Sequence, residues 1–125
     1  MANPLADYLR QARGVIESPE QWSKGCFSRD AQGKAIECFD EKAKSFCALG
    51  ACNRVYWDKN DDQACYPTHS LCEAACDALE DIVTELHSRP GERLLLEEYN
   101  DAVETTHADI LNIFDKTIER VEATQ

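Results

Sequence analysis

The chain has 125 residues, and its 24 aspartates and glutamates outnumber 13 lysines and arginines to give a formal net charge of −11. That length makes one domain, residues 1–125, able to bury about two-thirds of its surface without staples, and 43% hydrophobic with 30% charged residues is the balance of a soluble globular protein. No apolar run approaches the roughly 18–20 residues of a membrane span, and Met1-Ala2-Asn3-Pro4-Leu5-Ala6-Asp7 lacks the basic and apolar regions of a secretory leader, so the expected compartment is the cytoplasm.

Leu5, Tyr8, Leu9, Ala12 and Ile16 recur at three- and four-residue spacing and predict a first helix over 3–17. Ser18-Pro19-Glu20-Gln21 reads as a fresh start, with Ser18 capping, Pro19 at the first helical position and Gln21 closing a capping box. Trp22 follows, and Gly25 ends this short turn. Residues 25–30 and 34–39 flank Ala31-Gln32-Gly33, where Gly33 can take a positive φ, and predict a two-stranded hairpin over 25–39. Two strands alone are barely stable, so the hairpin must lie on a helix.

Asp40 is the expected cap of a second long helix over 41–57. On a helical wheel with Cys47 at the origin, Ala43, Phe46, Gly50, Ala51 and Val55 share its face, while Leu49, Cys52 and Tyr56 point away. That distribution predicts a central, largely buried helix, with Gly50 and Ala51 admitting another backbone. A polar loop over 58–67 leads to a helix over 69–87, capped by Thr68, whose stripe is Cys72, Ala75, Cys76, Leu79, Ile82, Val83 and Leu86. Arg89-Pro90-Gly91 breaks the chain. A short helix over 92–99 carries Leu94, Leu95 and Leu96, and a final helix over 107–122, capped from Thr106, buries Ile110, Leu111, Ile113, Phe114, Ile118 and Val121. The fold class predicted is mainly α (α+β), with about four principal helices and a small hairpin. A larger sheet drawing in 92–99 is the alternative.

The charge is uneven. Residues 1–57 carry 8 basic and 7 acidic side chains, and residues 58–125 carry 5 basic and 17 acidic ones, a net of −12. A surface of that sign repels phosphate backbones, so nucleic acid is not an expected partner; a basic protein surface is. Acidic helix faces that merely keep a protein in solution are the bland alternative.

Seven cysteines are an odd count that fits no simple disulfide framework, and reduced thiols packed as small hydrophobes fit better. Cys65-x3-His69-x2-Cys72-x3-Cys76 offers four ligand types that tetrahedral zinc accepts, but along a helix rather than on the usual knuckle, and Cys72 and Cys76 also lie in the apolar stripe. No cofactor is required by the sequence; zinc or iron at these four residues is the alternative. Asp58-x-Asn60-x-Asp62 opens like a calcium loop, but Gln63 stands where the loop needs glycine and His69 where it needs a bidentate glutamate. Cys47 with one of His69, His87 or His107 supplies the residue types of a thiol nucleophile and base, and Cys47 is the catalytic candidate if there is one. His107, near the apolar edge of the last helix, fits a satisfied structural histidine. No serine-hydrolase, phosphate-loop, dinucleotide or zinc-protease motif occurs.

Four segments taken in order form a pattern: Ile16-Glu17 through Trp22 and Gly25; Arg29-Asp30-x2-Gly33; Phe46-Cys47-Ala48-Leu49-Gly50-Ala51; and Tyr99-Asn100-Asp101 with Thr105 or Thr106 before an amphipathic helix. The pattern resembles a family of small bacterial and phage proteins known only as a domain of unknown function, and spans residues 5–122. The resemblance implies one small domain and no known activity. It does not require Cys26, Cys38, Cys52, Cys65, Cys72 or Cys76, so a metal site built from them would be peculiar to this chain.

Arg54 lies about 20° from Cys47 on the wheel, within the apolar face, where an arginine needs a partner. Asp30 on the hairpin and Asp101 before the last helix, with Asn100, are the groups expected to join Arg54 in a buried polar cluster, either structural or adjoining a ligand site. The leading functional expectation is a non-enzymatic acidic interaction or regulatory protein that binds a basic protein surface. The metal-binding regulator and a small cysteine-dependent enzyme are the alternatives.

Overall fold

The computed structural model of the chain describes residues 3–59 and 66–123, with side chains over 3–57 and 71–123. The fold is mainly α, with four long helices, one short helix and a two-stranded antiparallel sheet among the described residues. Asn3 starts α1 (Pro4–Val15): its side chain accepts from the Ala6 amide at 3.1 Å, and Pro4 needs no partner at the first position. A 3-10 turn (Pro19–Gln21) follows, closed as expected by Gln21 Oε1 accepting from the Ser18 amide at 2.9 Å.

The hairpin turn forms where the sequence puts it. Asp30 Oδ1 accepts from the Gln32 and Lys34 amides at 2.9 and 3.0 Å, and Gly33 adopts φ +83°. The second strand does not follow directly. β1 (Ser28–Arg29) pairs with β2 (Ser45–Phe46), and residues 35–39 meet β1 through the Arg29–Ala35 bridge, the Ile36 amide on Ser28 O and the Ser28 hydroxyl on Ile36 O. Phe46 also bridges Trp22, with Ser23 N donating to Phe46 O at 3.0 Å.

This pairing corrects the helix expected over 41–57. Helix α2 (Ala48–Lys59) starts seven residues later than predicted. Asp40 opens a turn instead, accepting from the Lys42 amide at 2.8 Å, and the next residues run extended so that Lys44 N and Cys47 N meet Arg29 O and Phe27 O. Backbone groups on β1 and at Phe27 outcompete a local helix that had no hydrogen-bond partner for that strand.

Helix α3 (Tyr66–His87) starts three residues before the expected boundary, so Thr68 lies inside it. The short helix α4 (Leu96–Asp101) is shifted from 92–99, and its first amide, Leu96 N, donates to Glu80 Oε1 at 2.9 Å. Helix α5 (His107–Ala123) begins at a reciprocal cap, with Asp109 N on Thr106 Oγ1 at 3.2 Å and Thr106 N on Asp109 Oδ2 at 2.9 Å. Helices α1, α2, α3 and α5 enclose one core of Leu9, Ile16, Val55, Leu79, Val83, Ile110 and Phe114. Small residues at Ala6, Ala12, Ala51 and Ala75 let the helices approach, and the Tyr8 hydroxyl, inside this core, donates to Cys52 O at 2.7 Å. Among the described residues no helix is long and apolar enough to cross a membrane.

Candidate functional site

Asn100 is fully buried, which a primary amide tolerates only when all of its polar atoms are engaged. Its Oδ1 accepts from Trp22 Nε1 at 2.8 Å and from the Ala48 amide, the first of α2, at 3.0 Å. Its Nδ2 donates to Ser23 O at 3.1 Å and to Asp101 Oδ1 at 3.0 Å. One side chain thus joins α4, the start of α2 and the segment after the 3-10 turn. Asp101 extends the network by accepting from the Gly25 amide at 2.9 Å, where Gly25 holds φ +87°. Lys24 Nζ donates to Ala102 O at 2.6 Å and lies 5.4 Å from the Trp22 ring. His107 bonds Ile16 O at 2.6 Å and sits 6.0 Å from the same ring, the structural role expected of it.

A cavity of about 380 Å³ opens beside this network, lined by Gly25, Cys26, Phe27, Cys47, Glu97 and Asp101. Cys47 is buried, and burial pushes its thiol up to about 11 although the Gly50 and Leu49 amides favour the thiolate. Burial thus favours its neutral thiol over the thiolate.

The description of a family of unknown function, DUF6197, matches the chain over residues 1–120. The chain belongs to that family. No curated protein and no solved structure matches it. The DUF6197 membership agrees with the resemblance read from the sequence, and the four segments that carried the resemblance meet at this corner. Trp22 and Gly25, Cys47 and Ala48, and Asn100-Asp101 share the network or line its cavity. Arg29 ties the remaining segment to them, donating to Lys24 O at 2.8 Å and Gly33 O at 2.9 Å. Gly50 is the contact that only glycine allows: a Cβ there would lie 2.0 Å from Phe27 O.

Asn100 and Asp101 come together as expected, but Arg54 and Asp30 do not join them. Arg54 is half-buried and donates through Nη1 to Cys38 O at 2.9 Å and Asp40 O at 2.8 Å, with its guanidinium 5.7 Å from the Phe46 ring. The Asp30 carboxylate serves its own turn. The correction has a simple cause: once residues 38–40 leave the expected strand, their carbonyls lie nearer to Arg54 than any hairpin carboxylate. The sequence reading also missed Ser23, Lys24, Phe27 and Glu97; only the Phe27–Gly50 contact had a signal, the glycine itself.

Of the zinc candidates, Cys65 and the side chain of His69 lie outside the described residues, as do Asn60, Asp62 and the side chain of Asp58 in the calcium-like loop. Cys72 is buried, with Sγ on Cys52 O at 3.7 Å and Asn53 Oδ1 at 3.5 Å. Contacts with neighbouring thiols and burial push both the Cys72 and Cys76 thiols up. Among the described residues no group of three His, Cys, Asp or Glu side chains is placed to hold a metal ion.

Proposed function

We propose that this chain is a non-enzymatic interaction or regulatory protein of bacterial or phage origin, working in the cytoplasm, that binds a basic surface on another protein. The observation that carries the reading is a ridge of carboxylates on α3. Glu73, Asp77, Asp81 and Glu85 recur every fourth residue and are all exposed, a line about 18 Å long. Like charges at that spacing repel along the helix, a cost that the pairs of Asp81 with Arg93 and Glu85 with Arg120 offset at its C-terminal end. A complementary basic surface would recover it on binding and be steered toward it from a distance.

The test is affinity capture from the native host with the wild-type chain and with an E73Q/D77N/D81N/E85Q variant, followed by affinity measurements on the recovered partner. A tenfold or greater loss of affinity on neutralisation, and a similar loss on raising salt well past the screening range of about 0.1–0.15 M, are expected. A partner bound equally by both chains and insensitive to salt overturns the reading.

A further inference from the structure

The carboxylate ridge is not uniform. At its C-terminal end Arg93 pairs with Asp81 at 3.0 Å and with Glu80 at 2.8 Å, and Arg120 grips Glu85 at 2.6 Å. At its N-terminal end Asp77 has no ion pair among the described residues, and there the ridge meets a groove of about 440 Å³ between α2 and α3. Asn53, Tyr56 and Trp57 line one side of it and Glu73, Cys76 and Asp77 the other. Trp57 is 45% exposed, an unusual position for the largest apolar side chain unless it has something to meet. Its ring is not loose: Phe39 packs on it with centroids 4.8 Å apart, and Tyr56 meets it at 5.6 Å.

We propose that this groove is the seat of an arginine side chain from the basic partner, its guanidinium stacked on Trp57 and paired with the Asp77 carboxylate. The proposal rests on the reading above and names the side chain it would recognise. Three features argue for arginine. An indole face attracts a cation through its quadrupole, and the planar guanidinium can stack on it while its edge bonds a carboxylate. A compact, strongly hydrated ammonium gives up more solvation to do either. The groove sets the Trp57 indole on its α2 side against the Asp77 carboxylate on its α3 side, which places negative potential where a guanidinium would lie.

The test uses an arginine nonapeptide, with lysine and citrulline nonapeptides as probes of charge and shape, titrated against the full chain at low salt and read by fluorescence anisotropy and by tryptophan emission. Trp22 is common to all variants. The arginine peptide is expected to bind at least fivefold tighter than the lysine peptide and tenfold tighter than the citrulline peptide, and to perturb emission in wild type but not in W57L. D77N is expected to weaken it at least fivefold, while E119Q, the same charge change on an exposed position of α5, weakens it less than twofold. Arginine binding that is unchanged in both W57L and D77N, or matched by lysine, overturns the groove assignment and leaves the acidic-surface reading standing. Failure of the arginine and lysine peptides alike to bind wild type overturns both.

Discussion

Replacing Gly50 by alanine sets a local gain against a tertiary cost, and the structure says which wins. In an isolated helix the change is worth about 1 kcal/mol in favour of alanine. Here the new Cβ would stand 2.0 Å from Phe27 O, 2.9 Å from Phe27 C and 3.3 Å from Phe27 Cα, all backbone atoms that no rotamer change can remove. A carbon–oxygen contact needs about 3.3 Å, so the Phe27 peptide must retreat by roughly 1.3 Å. That movement breaks the 3.1 Å bond from Cys47 N to Phe27 O, worth about 1 kcal/mol, and adds an overpacking cost of about 1–3 kcal/mol. The net expectation for G50A is a destabilisation of about 1–3 kcal/mol. Gly14, in α1 with nothing within 4 Å of an added Cβ, is the internal control: G14A keeps only the helix term and is expected to gain up to about 1 kcal/mol. Urea denaturation of the two variants beside wild type measures both. If G50A is as stable as wild type, or if both variants move in the same direction, the close packing of residue 27 on α2 is refuted.

Asn100→Ala would strand the Trp22 indole N–H and the Ala48 amide in a buried site and is expected to cost about 3–5 kcal/mol by chemical denaturation; a cost under about 1 kcal/mol would mean that the network is not structural. Arg54→Ala loses two charged hydrogen bonds to the carbonyls of residues 38 and 40 and is expected to cost about 2–4 kcal/mol. Arg10→Ala, whose partners Asp7 and Glu122 are exposed surface carboxylates, is expected to leave the urea midpoint close to wild type, and equal effects in the two variants would contradict the difference in burial. Burial keeps the Cys47 thiol protonated to about 11, while in the unfolded chain it ionises near about 8.5. Between those values the unfolded state releases a proton that the folded state retains, so stability is intact below the window and falls as pH rises through it, by about 3 kcal/mol from this group. Urea midpoints at neutral pH and near the top of the window check this: the drop is expected to be smaller in C47A than in wild type, and an equal drop in both overturns it.

Much of the helical frame was legible because it is written in contacts within four residues. The stripe in α1, the Asn3-Pro4 start, the Ser18–Gln21 box, the Asp30–Gly33 turn and the Thr106–Asp109 cap each require only neighbours in sequence, and each forms where the residues predict it. The order of short motifs likewise sufficed to point to a family of unknown function. What the sequence could not decide were competitions between local and distant partners. Residues 41–47 have a helical pattern, but the backbone of Arg29 and Phe27 offered hydrogen bonds that a helix there would have left unmade, and the chain took the strand. A helical wheel shows which way Arg54 points but not what stands opposite, so carbonyls at 38 and 40 replaced the expected carboxylates. Asn100 was expected in a buried polar cluster, but its partners there were not legible. Three of its four hydrogen bonds run to groups 52 to 78 residues away and exist only once α2, α4 and the Trp22 segment have packed, because a buried amide takes its partners from whatever the tertiary fold brings to it.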